Sequence, residues 1–230
     1  MQNPFKILTK FEWTLWALSA LTVTLSFLLS PERDLLALAA SLVGVSALIF
    51  VARGHLFGQV LIIVFALFYG MISLYFKFYG EMITYLGMSA PVAVGALITW
   101  AKHPYKKSAE VEVRRITKKE FLCVCLLALG VTVIFHFILR ALGTAKLAVS
   151  TISIATSFFA AFLTVLRSPY YALAYAANDV VLVTLWLLAA IGDPSSIPMV
   201  VCFGTFLVND IYAFISWCRM RRRQEAGAED

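Results

Sequence analysis

Apolar segments of about 20 residues, the length of a membrane-spanning helix, alternate with short polar segments along the whole chain. A helix of that length rises 1.5 Å per residue and crosses the roughly 30 Å of hydrocarbon in a bilayer. The pattern predicts eight such helices, of which the first is short and either spans the membrane or lies at its interface. The predicted helices cover residues 13–29, 35–52, 56–76, 81–100, 120–140, 147–166, 170–191 and 197–217.

The composition supports this interpretation. Of the 230 residues, 61% are hydrophobic and 14% are charged, whereas about 25% of the residues of a soluble domain are charged. A water-soluble core cannot bury this much apolar sequence. The first apolar segment lacks the small-residue cleavage pattern of a signal peptide, so we expect it to be retained. The predicted fold class is therefore an all-α integral membrane protein.

The basic residues predict the orientation. If the N-terminus is cytoplasmic, all 19 Lys and Arg residues except Arg33, Lys77, Arg140 and Lys146 lie on the cytoplasmic side. This distribution obeys the positive-inside rule and predicts that both termini are cytoplasmic. The net charge of +6 is carried at helix ends, where basic residues set topology and contact anionic lipid. The lipid bilayer is thus the expected partner, and nucleic acid is not.

The longest polar segment separates two triplets of helices, with one additional helix between them. Shifting the second half back until Arg167 coincides with Arg53 matches three consecutive helices with three, and the triplets end at Trp100 and Trp217. One linking helix keeps the two triplets parallel, and parallel repeats place a substrate site between the halves near the midplane. The predicted parts are an N-terminal helix (1–34), a first three-helix repeat (35–100), a cytoplasmic linker (101–119), a central helix (120–140), a second repeat (147–218) and a basic cytoplasmic tail (219–230).

Two Asn-Asp pairs lie within the predicted membrane helices, Asn178 with Asp179 and Asn209 with Asp210. At 1.5 Å per residue, both pairs lie about 10–14 Å from the cytoplasmic ends of their helices. An aspartate at this depth costs about 2.5–3.5 kcal/mol on insertion scales, so exposure to lipid is not expected. The pairs either line a polar cavity or hydrogen-bond between helices.

Aromatic residues share one helix face with Asn178. Tyr171, Tyr175, Asn178, Leu182 and Trp186 follow helical spacing along residues 170–191. Rings beside amide and carboxylate groups suit a flat solute with hydroxyl groups, although aromatic packing alone would give the same pattern. The matching positions in the first triplet are apolar, so we expect the site to belong mainly to the second.

The small residues of the helix over 147–166 favour close helix packing over ligand binding. Ser150, Ser153 and Ser157 recur along this helix, and small residues let neighbouring helices approach. The sequence contains no Walker, HExxH or GxSxG motif, and its four cysteines have no metal-ligand spacing. We therefore expect neither a catalytic residue nor a metal site nor a cofactor.

Four segments together resemble the PnuC family of bacterial vitamin transporters, which is related to the SWEET sugar transporters. These segments are residues 79–81 (YGE), 91–100, 175–186 (YAANDVVLVTLW) and 207–217 (LVNDIYAFISW). The resemblance implies facilitated uptake of nicotinamide riboside, an NAD precursor, which a cytosolic kinase then traps by phosphorylation. It also implies a homotrimer in the bacterial inner membrane.

One departure from the family pattern leaves the substrate open. Where nicotinamide riboside members carry a WxxW pair, this chain has Tyr171 and Ala174. Relatives that carry thiamine, riboflavin or deoxynucleosides also differ in this region. Proton coupling through Asp179 or Asp210, a membrane anchor and a lipid-modifying enzyme are the remaining alternatives. The candidate substrate-binding residues are Tyr171, Tyr175, Asn178, Asp179, Trp186, Asn209 and Asp210.

Overall fold

The computed structural model describes residues 4–32, 34–75, 82–144 and 146–227. Residues 79–81 of the family resemblance, together with Arg33 and Lys77, lie outside the described residues. A π-helical segment, Thr84–Ser89, leads directly into the fourth helix. The α-helices are α1 (Lys10–Leu28), α2 (Leu35–Ala52), α3 (Leu56–Tyr75), α4 (Ala90–Lys102), α5 (Lys118–Ala141), α6 (Leu147–Val165), α7 (Tyr170–Ala190) and α8 (Ile197–Ala226).

The all-α membrane fold is confirmed within these residues. Seven of the helical segments are long and apolar enough to cross a membrane, and α3 adds the shorter apolar segment Leu56–Met71. The first helix qualifies by length and composition, with Lys10–Leu28 among the seven. The last helix is longer than predicted, because α8 continues through Ala226 into the segment predicted as a tail.

Side-chain caps explain where two of the helices begin. Thr9 and Glu12 form a capping box at the start of α1, and Thr117 and Glu120 form another at the start of α5. In each, the threonine hydroxyl accepts a backbone N–H while the glutamate accepts the N–H of the threonine, so two otherwise unpaired donors are satisfied. These caps define the residues at which the N-terminal segment and the polar linker end and the two helices begin.

Six helices form a closed ring. Helices α2, α3 and α4 pack in chain order, as do α6, α7 and α8, and the two sets meet where α4 packs on α6 and α8 packs on α2. Helix α1 packs outside the ring against α2 and α8, and α5 packs outside it against α6. The ring therefore encloses a space between the two predicted triplets.

The two triplets have turns of the same geometry at one end of the ring, which we call the linker end. Gly54, after α2, has φ 63°, and Arg167, after α6, has φ 58°. Gly54 N donates to Val51 O at 2.9 Å, and Arg167 N donates to Thr164 O at 3.0 Å. Each helix thus ends in a left-handed residue that pairs its last carbonyl groups.

The linker crosses this end of the ring and contacts both turns. Val111 N donates to Gly54 O at 2.9 Å, and Arg114 N donates to Arg167 O at 3.0 Å. The end of α8 holds the linker from the other side, because the Gln224 amide donates to Val111 O at 3.0 Å and accepts from Val113 N at 2.8 Å. The linker is therefore an ordered strap between the two triplets.

Gly58 lets α3 lie close against the backbone at the end of α2. A Cβ atom at this position would lie 2.5 Å from Val51 N and 2.9 Å from Phe50 C, both backbone atoms. We expect Gly58→Ala to destabilise the protein by about 1–3 kcal/mol, because the two backbones must separate. The measurement is the apparent melting temperature of the purified protein in detergent, followed by size-exclusion chromatography.

Gly130→Ala is the matched control for this prediction. Gly130 also lies within a helix, α5, but an added Cβ would meet nothing within 4 Å. Alanine favours helix over glycine by about 1 kcal/mol, so this variant should melt at the same temperature or higher. Equal melting of wild type and Gly58→Ala would contradict the proposed contact.

Candidate functional site

The ring encloses a cavity of about 670 Å³, a volume typical of small-molecule sites. The predicted face of α7 lines it throughout. Tyr171, Tyr175, Asn178, Leu182 and Trp186 all contribute to the wall. The structure therefore brings the whole predicted stripe to one enclosed space.

Asn178 is held in one orientation by hydroxyl groups from α6. Its Oδ1 atom accepts hydrogen bonds from Thr156 at 2.7 Å and from Ser157 at 3.0 Å, with Ser153 at 3.4 Å. With the carbonyl oxygen occupied, the amide nitrogen makes no hydrogen bond within the described residues. It is available to donate to a solute in the cavity.

The serines of α6 face the cavity. Ser150, Ser153 and Ser157 line its wall, together with Ala161 and Thr164. This differs from the close packing that the sequence favoured, because α6 turns its small polar face inward and its apolar face toward α5. Small side chains at these positions leave room for a solute and orient Asn178.

Asp179 and Asp210 meet in the cavity wall. They are 3% and 2% exposed, both line the cavity, and their carboxyl groups lie within hydrogen-bonding distance of each other. Asp179 Oδ2 and Asp210 Oδ1 accept no hydrogen bond from another group of the described residues. Two helices thus contribute one carboxyl pair.

The structure does not bring Asn209 to the cavity. Asn209 is 1% exposed, and its amide nitrogen donates to Ser19 Oγ on α1 and to Thr205 O, each at 2.9 Å. On the same side of α8, Tyr212 donates to Glu12 Oε1 at 2.7 Å. Asn209 therefore holds α1 against the ring. Hydrogen bonding between helices was one of the two roles that the sequence allowed for the Asn-Asp pairs.

An aromatic wall from the first triplet was not predicted. Phe65, Tyr69 and Tyr85 line the cavity opposite α7, with ring centroids 4.5 Å apart for Tyr69 and Tyr85 and 5.7 Å apart for Phe65 and Tyr69. The spacing of Phe65 and Tyr69, one helical turn apart, was the available signal. Both triplets therefore contribute to the site, contrary to the expected predominance of the second.

On α7, Trp186 lies in the cavity wall with an indole N–H that is unpaired within the described residues, whereas Ala174 lies outside the cavity. The Trp186 Nε1 atom is buried and makes no hydrogen bond within the described residues, so it is a second donor available to a solute. Ala174 lies outside the cavity, in an apolar groove that Phe121, Thr156 and Tyr170 also line. Its missing ring leaves the cavity unchanged, since Tyr171 and Tyr175 remain in the wall.

Two tryptophans separate the cavity from the linker end. Trp100, at the end of α4, donates to Thr164 O at 2.9 Å, and Trp217 of α8 donates to Val51 O at 2.9 Å. Both side chains are fully buried, and their ring centroids lie 5.3 Å apart. Each tryptophan therefore donates a hydrogen bond to a helix of the other triplet. Together, the two side chains close the cavity at the linker end.

The cavity extends to the loops at the opposite end. Leu142, Gly143, Thr144, Lys146 and Asp193 line it there. The Ser195 hydroxyl and backbone N–H donate to the Asp193 carboxylate at 2.8 and 3.0 Å, and these hydrogen bonds lower the pKa of Asp193. This end is polar and carries a carboxylate at neutral pH.

The closed helix ring and its cavity, lined by aromatic and polar residues and shared by two triplets, define a membrane transporter for small molecules. Within the described residues, no group of three or more His, Cys, Asp or Glu residues could hold a metal ion. Residues 34–219 match the family model described as nicotinamide mononucleotide transporter. The match covers most of the chain, and the chain belongs to this family.

The comparisons with individual proteins agree with this assignment. The nicotinamide riboside transporter PnuC of Neisseria mucosa is 25% identical over 221 residues, which cover 94% of this chain and 83% of that protein. The crystal structure of the vitamin B3 transporter PnuC has a TM-score of 0.81 and 24% identity over 94% of both chains, a likeness of fold. The resemblance to PnuC and the prediction of a transporter rather than an enzyme are confirmed.

Proposed function

We propose that this chain carries nicotinamide riboside across the membrane by facilitated diffusion. The observation that supports this most directly is the charge of the cavity. Asp179 and Asp210 are acidic, and the one basic residue that lines the described cavity is Lys146, in the loop before α6. The nicotinamide ring of the riboside is an N-glycosylated pyridinium with a positive charge, which suits aromatic and acidic walls.

The same charges favour nicotinamide riboside over nicotinamide mononucleotide, the compound that the family description names. A phosphate group is bound in proteins by Arg, Lys or helix N-termini, and no basic residue lines the described cavity within the membrane. A phosphate near Asp179 and Asp210 would add like charge. The relative whose name specifies the riboside is therefore the better guide to the substrate.

The proposed contacts follow from the free groups in the wall. The pyridinium ring stacks on Tyr171 and Tyr175, while the Asn178 amide and the Trp186 indole N–H donate to the hydroxyl or carboxamide oxygens. Asp179 and Asp210 stabilise the charge of the ring. Asn209 is excluded from this set because it binds Ser19 on α1.

The proposed cycle uses the two triplets as moving halves. Alternating access by rocking of the 3+1+3 repeats is supported by the two matched turns and by the crossed tryptophan hydrogen bonds. We also propose that the linker end is cytoplasmic and that the protein lies in a bacterial inner membrane. A cytosolic kinase that phosphorylates the riboside would keep its free concentration in the cytosol low, so that uptake continues down the concentration gradient. Assembly as a homotrimer stays a prediction of the family resemblance.

The test is binding and uptake by the purified protein. We expect nicotinamide riboside to raise the melting temperature in detergent by mass action, and labelled riboside to enter proteoliposomes without concentrating above equilibrium. Nicotinamide mononucleotide should do neither at the same concentration. Stabilisation by thiamine or riboflavin instead of the riboside would overturn the substrate assignment and leave the family unchanged.

A further inference from the structure

Within the part of the chain that the structure describes, no basic side chain is paired with the carboxyl groups of Asp179 and Asp210. The titratable groups near it are Tyr171 and Tyr175 on α7, Cys202 on α8, and Tyr69 and Tyr85 across the cavity. Helix α2 contributes Ser41 beside Cys202, and α6 contributes Thr164 beside Tyr175. None of these side chains is a cation at neutral pH.

An ion pair lies where α8 packs against α1. Glu12 of α1 is fully buried there and contacts Arg53 Nε at 3.5 Å and Tyr212 at 2.7 Å. That arginine is already paired with a carboxylate, so it does not neutralise the pair in the cavity. Two adjacent buried carboxylates repel each other, and such a pair retains a proton shared in a hydrogen bond.

We propose that Asp179 and Asp210 form a proton-exchange site, which holds one proton when the cavity is empty and releases it when a cationic, N-substituted pyridinium solute binds. The inference rests on the proposed function and specifies how the site recognises charge. The O–H bond of one carboxyl group breaks, and the proton passes to water. The charge of the pair changes from −1 to −2 while the solute brings +1, so the total charge of the occupied site stays at −1.

Proton and solute then compete for the same carboxyl groups, and the empty site regains its proton from the water on the side to which the cavity is open, so uptake stays downhill when the pH is equal on both sides of the membrane. Below the range in which the pair loses its proton, the apparent Kd of the cation rises with falling pH, by up to tenfold per pH unit for one proton. Above that range, the pair is already ionised and the Kd is constant. An uncharged solute of the same shape gains nothing from the second ionisation, so its Kd should not follow pH in this way.

The test is isothermal titration calorimetry on the full-length protein in detergent, in buffers of different ionisation enthalpy. The probes are nicotinamide riboside and benzamide riboside, a carbon-linked analogue of the same shape without the ring charge. We expect about one proton released per nicotinamide riboside at the pH where the Kd is most pH-dependent, and none for benzamide riboside. Because this comparison uses the wild-type protein, it does not depend on the folding of a variant.

Variants assign the proton to the pair. Asp179→Asn and Asp210→Asn should each abolish proton release and flatten the pH dependence, whereas Glu32→Gln, at an exposed carboxylate before α2, should leave both as in the wild type. Binding of nicotinamide riboside without proton release would overturn the proposal and leave the substrate assignment intact. Absence of binding by nicotinamide riboside would overturn both.

Discussion

Replacing Asn178 by leucine is expected to reduce uptake of labelled nicotinamide riboside into proteoliposomes by about 100-fold or more. Leucine is of similar size but can neither donate to a solute nor accept the hydroxyl hydrogen bonds of Thr156 and Ser157. Polar groups left unpaired in an enclosed site cost about 1–3 kcal/mol each, and two such losses give an effect of this size.

Thr156→Val separates recognition from positioning in this experiment. Thr156 donates to Asn178 Oδ1 but its side chain also borders the apolar groove outside the cavity. Removing its hydroxyl leaves Ser157 to orient the amide, so we expect a loss of less than about tenfold, the size of one ordinary hydrogen bond. Normal uptake by a folded Asn178→Leu variant would exclude Asn178 from the site.

Trp217→Phe is expected to shift the protein toward a state that is open at the linker end. Phenylalanine keeps the ring contact with Trp100 but removes the hydrogen bond to Val51 O. Val51 O keeps the backbone N–H of Gly54 as a donor, so the closed state loses one ordinary hydrogen bond, worth about 0.5–1.5 kcal/mol. The ratio of open to closed molecules should therefore rise by up to about tenfold, the factor that corresponds to 1.4 kcal/mol.

The measurement is labelling of a cysteine at Ala96, which lines the cavity one turn before Trp100. In a cysteine-free background, a membrane-impermeant thiol reagent applied at the linker end should modify it faster in Trp217→Phe. Trp13→Phe is the control, because Trp13 lies at the surface of α1 and its indole N–H makes no hydrogen bond within the described residues. Equal labelling of all three proteins would show that the indole bond does not hold this end closed.

The sequence predicted the helices and one face of the site because both follow from a single periodicity. Apolar length determines the helices, and residues 171, 175, 178, 182 and 186 share the inner face of α7 whatever its neighbours are. The end of α8 was missed, since residues beyond Trp217 are polar and their contacts with the linker, such as those of Gln224, cannot be read from the helical pattern.

Helical periodicity alone did not predict that the two Asn-Asp pairs differ in their positions. Adjacent helical residues differ by about 100° in direction; Asn178 and Asp179 nevertheless both line the cavity, whereas of Asn209 and Asp210 only Asp210 does. The choice between them depends on Ser19, which lies on α1 and offers the amide a hydrogen bond. Likewise, the wall formed by Phe65, Tyr69 and Tyr85 depends on how α3 packs on α4, which one helix pattern does not specify.

The linker also limits how far the two halves can separate. Its hydrogen bonds to the turns at Gly54 and Arg167 start from Val111 and Arg114, and three residues of extended chain reach about 10 Å. In the proposed rocking motion, the two turns could therefore separate to about 10 Å before the hydrogen bond to one of them had to break.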